Sequence, residues 1–266
     1  MKISLDKLKR QLGKQRRSNA VKGVKYSPIV ALKYERNLLS LVKILERAAI
    51  EYIDSLKDKG YIADSIPKFD LKQQMKNLDT WAKETSEKFA SGAEKFHRET
   101  WRNELNDKTG IDIKNLLKNE NVKPALDKAV KDNVDLIKSI PKEYHDRITE
   151  AIDKGIVGGD DSQTLKQAIK EIGDVTESRA SLIARDQTSK MLSSLNEIRQ
   201  TEIGIDAYIW STAGDDRVRE THAANDGKRF YWNDPPDETG HPGEDVQCRC
   251  VADPDLSGLM SLINEG

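Results

Sequence analysis

The side chains best suited to chemistry crowd the C-terminal end of this 266-residue chain: His222, His241, Cys248 and Cys250. Three kinds of chemistry compete for them. Two imidazoles and two thiolates make a complete tetrahedral zinc set, and cysteines two apart on a strand aim both sulfurs to one side. The Cys-x-Cys spacing departs from the usual Cys-x2-Cys knuckle. A thiol nucleophile is the second option, with His222 or His241 as base and Asp226 or Asp245 orienting it. The flanking sequence has no strand–elbow–helix context for such a nucleophile. It also fails the His-x-Glu and Pro-Cys-x-x-Cys pattern of zinc deaminases. The third reading is architectural. Asp216, Arg217 and Arg219 lie just past a candidate strand that ends at Trp210, and Arg185-Asp186 lie on the preceding helix. Opposite charges across such a junction form hydrogen-bonded salt bridges that fix a loop-rich module. Asp226-Gly227, Gly240 and Gly243 supply turns, and Pro235, Pro236 and Pro242 stiffen the connections. The architectural reading absorbs most of these residues, and a structural zinc is compatible with it.

The elements that must position these groups are mostly helical. Ser27-Pro28 is a helix start, with Ser as N-cap and Pro at the first helical position. Leu38, Leu41, Val42, Leu45, Ala49, Tyr52, Ile53 and Leu56 recur three and four apart, which predicts a helix of about 30 residues closed by Gly60. Past Pro67 the stripe resumes with Leu71, Met75, Leu78, Ala82, Thr85, Phe89, Ala93 and Phe96. Two long helices with narrow apolar stripes read as an antiparallel hairpin. Shorter helical segments broken around Pro124 follow. Pro141 then opens a helix that ends at Gly155–Gly159. Asp161-Ser162 caps another, stopped by Gly173, and Thr176 opens the last long one. From Gly204 the texture changes. Ile205–Trp210 alternates with period two and reads as a strand, with further short strands at Arg229–Tyr231 and Cys248–Val251. The expected fold is therefore mainly α with a small α+β C-terminal module. A basic arm (1–25), a long-helix domain (26–140), a compact strand- and loop-rich domain (141–255) and a short tail (256–266) divide the chain.

One third of the residues are charged, against roughly a quarter in an average soluble protein, which suits long solvated helices better than a thick core. Residues 1–25 hold nine basic side chains and one acidic one. The chain totals of 44 basic and 45 acidic then leave 35 and 44 for the rest, so an arm of +8 joins a body of −9. Lys7, Lys9, Arg10, Lys14, Arg16 and Arg17 are candidates for contact with a nucleic acid or an acidic partner. No stretch approaches the roughly 18 apolar residues that span a bilayer, and no apolar run follows Met1-Lys2-Ile3-Ser4. Two cysteines at the far end staple nothing. The chain reads as cytosolic in origin.

The run Arg179-Ala180…Arg185-Asp186-Gln187-Thr188, then Asn196, Arg199-Gln200 and Gly204-Ile205, resembles the opening helix of the phage head-morphogenesis (Mu protein F-like) family. Trp210…Asp216-Arg217-Val218-Arg219…His222…Asp226-Gly227…Phe230 resembles its centre. Pro242-Gly243…Cys248-Arg249-Cys250 and Pro254 resemble its close. The resemblance covers about residues 141–255. It implies a minor capsid protein of a tailed phage, made in the host cytoplasm and carried in the head interior near the portal. The implied partners are the portal protein and capsid or scaffold proteins, with packaged DNA contacted by some members; the +8 arm of this chain is a candidate for such a contact on its charge alone. No enzymatic activity is implied, and the structural zinc stays a reading of the Cys/His residues alone. The alternative is a Cys/His-dependent hydrolase or nuclease-type effector delivered with the genome.

Overall fold

A computed structural model describes residue 10 and residues 21–57, 67–110, 112–115, 117–118 and 120–257. Their element order is α1 (Pro28–Lys57), α2 (Leu78–Thr109), α3 (Lys123–Gly158), α4 (Ser162–Glu202), β1 (Ala207–Ser211), α5 (Glu220–Asn225), β2 (Arg229–Tyr231) and β3 (Val251–Pro254). The fold is mainly α with a small antiparallel sheet near the C-terminus, as the sequence indicates. No helix among the described residues is long and apolar enough to cross a membrane.

The residues group into two compact units, each built from separated stretches of chain. One spans Ala31–Phe89 and Val130–Arg185. In it the α1 stripe is buried from Ala31 through Tyr34, Leu38, Val42, Leu45 and Ile53. Tyr34 stacks on Phe89 at 4.3 Å, while Tyr52 near the other end of α1 donates to the Pro67 carbonyl at 2.5 Å. The early part of α2 therefore runs antiparallel to α1, and the hairpin is realised. Tyr34 also donates its phenol proton to Asn133 Oδ1 at 2.8 Å, and burial raises the phenol's pKa.

Two helices run through their expected breaks. Lys123–Gly158 is one helix of 36 residues with Pro141 inside it. Pro141 forfeits one backbone hydrogen bond, a cost of about 3 kcal/mol. Ile137, Ile140, Tyr144, Ile148 and Ile152 are all buried along the same helix, and each such side chain contributes about 1.5–3 kcal/mol. Packing outweighs the proline. Pro124 sits in the first turn, where a missing N–H costs nothing. Ser162–Glu202 is likewise one helix of 41 residues, continuous through Gly173 and Thr176. Gly173 faces Glu46 at a distance where a Cβ would just touch, 3.4 Å. Thr176 and Ser178 donate to carbonyls four residues back instead of capping, which is the hydroxyl's other local option. Asp161 does cap as expected, accepting the Thr164 N–H at 2.7 Å.

The second unit takes its described residues from within Met1–Val30, Ala90–Ala129 and Asp186–Gly266. Its sheet has the order β2-β1-β3, with Tyr208 opposite Phe230 and Trp210 opposite Ala252. One apolar cluster joins Val21, Val24, Trp101, Leu105, Ile113, Ile203 and Ile205. A second joins Tyr208, Trp210, Trp232, Cys248, Cys250 and Ala252. β2 matches its expected span. β3 begins at Val251, three residues later than the sequence suggests, so Cys248 and Cys250 lie in the turn before the strand and not on it.

Candidate functional site

The second cluster holds the chemistry. Central strand β1 buries Trp210, and the six-residue α5 swings His222 under it, edge-on at 5.4 Å. The two cysteines arrive from a turn with demanding backbone geometry. Gly243 has φ +93° and is so close to Ser193 that a Cβ would lie 2.7 Å from that side chain. Gln247, at φ +55°, is the one non-glycine in the left-handed region among the described residues, and its N–H donates to Asp186 Oδ1 at 3.0 Å. Ser193 also donates to the Pro242 carbonyl. The central part of α4 thus fixes the turn that delivers the thiols.

His222 Nδ1 lies 3.4 Å from Cys248 Sγ and 3.5 Å from Cys250 Sγ. These three buried ligand atoms all fall within 4.8 Å of one another. On the far side of the ring, Nε2 lies 3.3 Å from Asp245 Oδ2, which also accepts from Arg219 at 2.9 Å. The Gly243 and Cys250 N–H groups donate to Cys248 Sγ at 3.3 and 3.4 Å. The Cys250 thiol and these N–H groups pull the Cys248 pKa down to about 6, and the same pairing with burial drives that of Cys250 up.

His241 takes another place. Its Nδ1 meets the Tyr208 hydroxyl at 3.0 Å, its N–H donates to Glu244, and its ring packs 5.0 Å from Trp232. It is outside the close group formed by His222, Cys248 and Cys250. Among the charged residues singled out from sequence, Asp186 and Arg219 hold the cysteine turn. Arg185 is turned back on its own helix, with Nε donating to the Ser181 carbonyl. Asp216 is exposed. Its neighbour Asp215 is the ion-pairing residue, receiving a bidentate fork from Arg249 at 2.6 and 2.7 Å and a further contact from Arg217 at 3.1 Å. Asp226 Oδ1 accepts the Thr212 N–H at 2.8 Å, and Gly227, at φ +73°, donates its N–H to the Trp210 carbonyl at 2.9 Å.

A buried ionic cluster in the same unit was not foreseen. Arg199 is 1% exposed. Its guanidinium donates to Glu120 at 2.6 and 2.8 Å, to Glu94 at 2.8 Å and to His97 Nδ1 at 2.7 Å. Arginine only donates, so His97 Nδ1 is the acceptor and the ring proton sits on Nε2, which donates to Asn196 Oδ1 at 3.0 Å. Burial first, and the nearby Arg199 charge second, hold His97 well below the ordinary imidazole pKa. Asn196 also clasps Val24, accepting its N–H at 2.8 Å and donating to its carbonyl at 3.0 Å. Asp253 receives the Gly23 N–H at 3.0 Å and Lys22 Nζ at 2.8 Å. Residues 21–24 are thereby tied across β3, and Gly23 is so near that a Cβ would lie 2.3 Å from the Ala252 carbonyl oxygen. The segment that carries the basic arm is rooted beside the thiol cluster. Arg10 is exposed, and Lys7, Lys9, Lys14, Arg16 and Arg17 lie outside the described residues.

Comparison with known proteins places residues 146–253 on the family described as Phage Mu protein F like protein. A protein of Haemophilus influenzae strain Rd, described only as uncharacterized, is 36% identical over 259 residues. The alignment takes in 93% of this chain, which spans 58% of that relative's length. No solved structure matches the chain.

Proposed function

We propose, from the premise that residues 146–253 belong to the phage Mu protein F like family, that this chain is a structural component of phage head morphogenesis. The reading extends to a minor capsid protein that sits at the portal and head interior during procapsid assembly. The observation that carries it is the architecture of the Cys/His region. The clustered polar groups are spent on one another: Arg249 on Asp215, Arg219 on Asp245, and Asp186 on the Gln247 N–H. Groups satisfied in this way rigidify a module and specify its shape.

The root of the basic arm supports a second element of the proposal. Lys22, Gly23 and Val24 are held by Asp253 and Asn196, so the module sets where the arm departs. The arm then contacts packaged DNA or an acidic portal surface. DNA binding through it gives a log–log salt slope of about −0.9 per phosphate contacted.

One observation favours a second reading. Cys248, His222 and Asp245 follow one another at 3.4 and 3.3 Å, the order of a nucleophile, a base and an orienting carboxylate. Both Cys248 and His222 are buried, and the sulfur already accepts from two backbone N–H groups. A hydrolase or nuclease-type effector needs a path for substrate to that sulfur.

Co-purification of the full-length chain with a portal oligomer separates the readings when it is paired with Cys248→Ala. A portal-bound wild type, with the variant lost from heads only as far as its folding is lost, supports the structural role. Normal head incorporation of the variant, with loss of a measurable hydrolytic activity, supports the effector.

A further inference from the structure

We propose that His222 Nδ1, Cys248 Sγ and Cys250 Sγ bind one thiophilic divalent cation of the zinc class, with Asp245 as the positioning carboxylate and no part for His241. The first argument is metric. Zinc lies about 2.3 Å from sulfur and about 2.0–2.1 Å from imidazole nitrogen, so tetrahedral angles place a bound nitrogen and sulfur about 3.6 Å apart. The two nitrogen–sulfur separations here are 3.4 and 3.5 Å. The two nitrogen–sulfur edges are those of a coordination tetrahedron to within about 0.2 Å.

The second argument is the protonation pattern. Metal-ligating imidazoles donate their other N–H to a carboxylate or carbonyl. Asp245 Oδ2, 3.3 Å from Nε2, is that acceptor, and Arg219 holds the carboxylate in place. With the proton on Nε2, the Nδ1 lone pair faces both sulfurs. Cys248 carries two N–H···S contacts, the kind of bond that stabilises a metal thiolate. With M2+ bound both cysteines are thiolates, any remaining thiol proton passing to solvent. Two thiolates and a neutral imidazole then face the cation, and net charge at the centre falls from +2 to zero.

The third argument is the surrounding shell. Trp210, Trp232 and Tyr208 enclose the thiols in an apolar cluster. The Trp210 indole N–H is buried in the same cluster. Both buried thiols converge on one histidine nitrogen, at 3.4 and 3.5 Å. A shared cation accounts for that convergence. The described residues contribute three ligands, which leaves one tetrahedral position open.

The test uses the full chain, purified after growth with zinc and dialysed against metal-free buffer. Elemental analysis is expected to give one zinc per chain. Cobalt substitution is expected to give thiolate-to-metal charge-transfer absorption, which reports sulfur ligation directly. Asp245→Asn should weaken zinc about 10–100-fold in competition with a chromogenic chelator, the usual effect of losing such a carboxylate. His241→Gln should leave stoichiometry unchanged. Zinc-free protein whose two thiols both react with a thiol reagent in the native state overturns the proposal, as does a Cys248–Cys250 disulfide found by mass spectrometry. Loss of zinc in a folded His241→Gln variant overturns the three-ligand assignment. Cys248→Ser and Cys250→Ser serve only if circular dichroism shows them folded; the cobalt spectrum of the unaltered chain carries the test otherwise. None of these readouts depends on head assembly, so they succeed or fail apart from the proposed function.

Discussion

Replacing Arg199 by Met leaves a hydrophobic stem of similar length where a fully buried cation stood. Four short hydrogen bonds disappear, two to Glu120, one to Glu94 and one to His97. The loss of those bonds is the smaller part. The Glu94 and Glu120 side chains are 11% and 5% exposed, and without the guanidinium two carboxylates share a nearly dry site. Removing one partner of a buried ion pair costs about 3–5 kcal/mol; Glu94 keeps Arg98 at 3.5 Å, so Glu120 carries most of that loss. Near the melting temperature of a domain of this size, that lowers Tm by about 6–20 °C. Urea unfolding followed by tryptophan fluorescence is the assay, since Trp101, Trp210 and Trp232 all lie in the same unit as the cluster. The decisive comparison is the triple variant Arg199→Met, Glu94→Gln, Glu120→Gln, in which the stranded charges are also removed. It should recover at least half of the lost stability. A loss under about 1 kcal/mol for the single variant, or a triple variant less stable than the single, would refute the account of Arg199 as the neutralising centre of this core.

Other expectations follow from the same contacts. His97 is held neutral in the fold with its pKa lowered, so below about pH 6.5 the unfolded chain binds a proton the native state refuses. Stability then falls with decreasing pH, by up to about 1.4 kcal/mol per unit. His97→Gln, able to accept from Arg199 and donate to Asn196, should flatten that part of the curve between pH 6.5 and 5.5; an unchanged slope would contradict the assignment. Gly23→Ala forces a Cβ to within 2.3 Å of a backbone oxygen, and overpacking of this kind costs about 1–3 kcal/mol. The variant should release residues 21–24 and speed proteolysis there, measured as the rate of cleavage near Lys22. Deleting residues 1–20, which leaves the anchored Lys22–Val24 in place, should remove any salt-dependent DNA binding while keeping the unfolding curve. A fall in stability instead would mean that the arm packs on the body.

The sequence was informative where one signal dominated. The α1 stripe, with Ser27-Pro28 at its head, located the helix start at Pro28. The aromatic run in β1 and the span of β2 were legible for the same reason. Punctuation misled where packing overruled it: Pro141 and Gly173 look like breaks, but buried isoleucines and a close approach to Glu46 carry the helices through. The alternation of Cys-x-Cys predicts thiols on a strand, whereas the left-handed Gly243 and Gln247 turn the chain just before them. His241 and His222 are indistinguishable as letters; their contacts separate them, His241 meeting Tyr208 and His222 the thiols. The Arg199 cluster was out of reach for a different reason. Its partners lie 79 to 105 residues away along the chain, and no local pattern records such a meeting. A buried Arg on a helix reads as a surface charge until the helix opposite is known.

The central proposal is that this chain is a structural component of phage head morphogenesis. The most direct measurement is quantitative mass spectrometry of purified procapsids and portal complexes from cells that express the full-length chain with its own head genes. The structural account predicts the chain in both fractions, in a fixed and small ratio to the portal subunit. It also predicts that heads fail to mature when the chain is absent. Procapsids that lack the chain and still mature normally would contradict it.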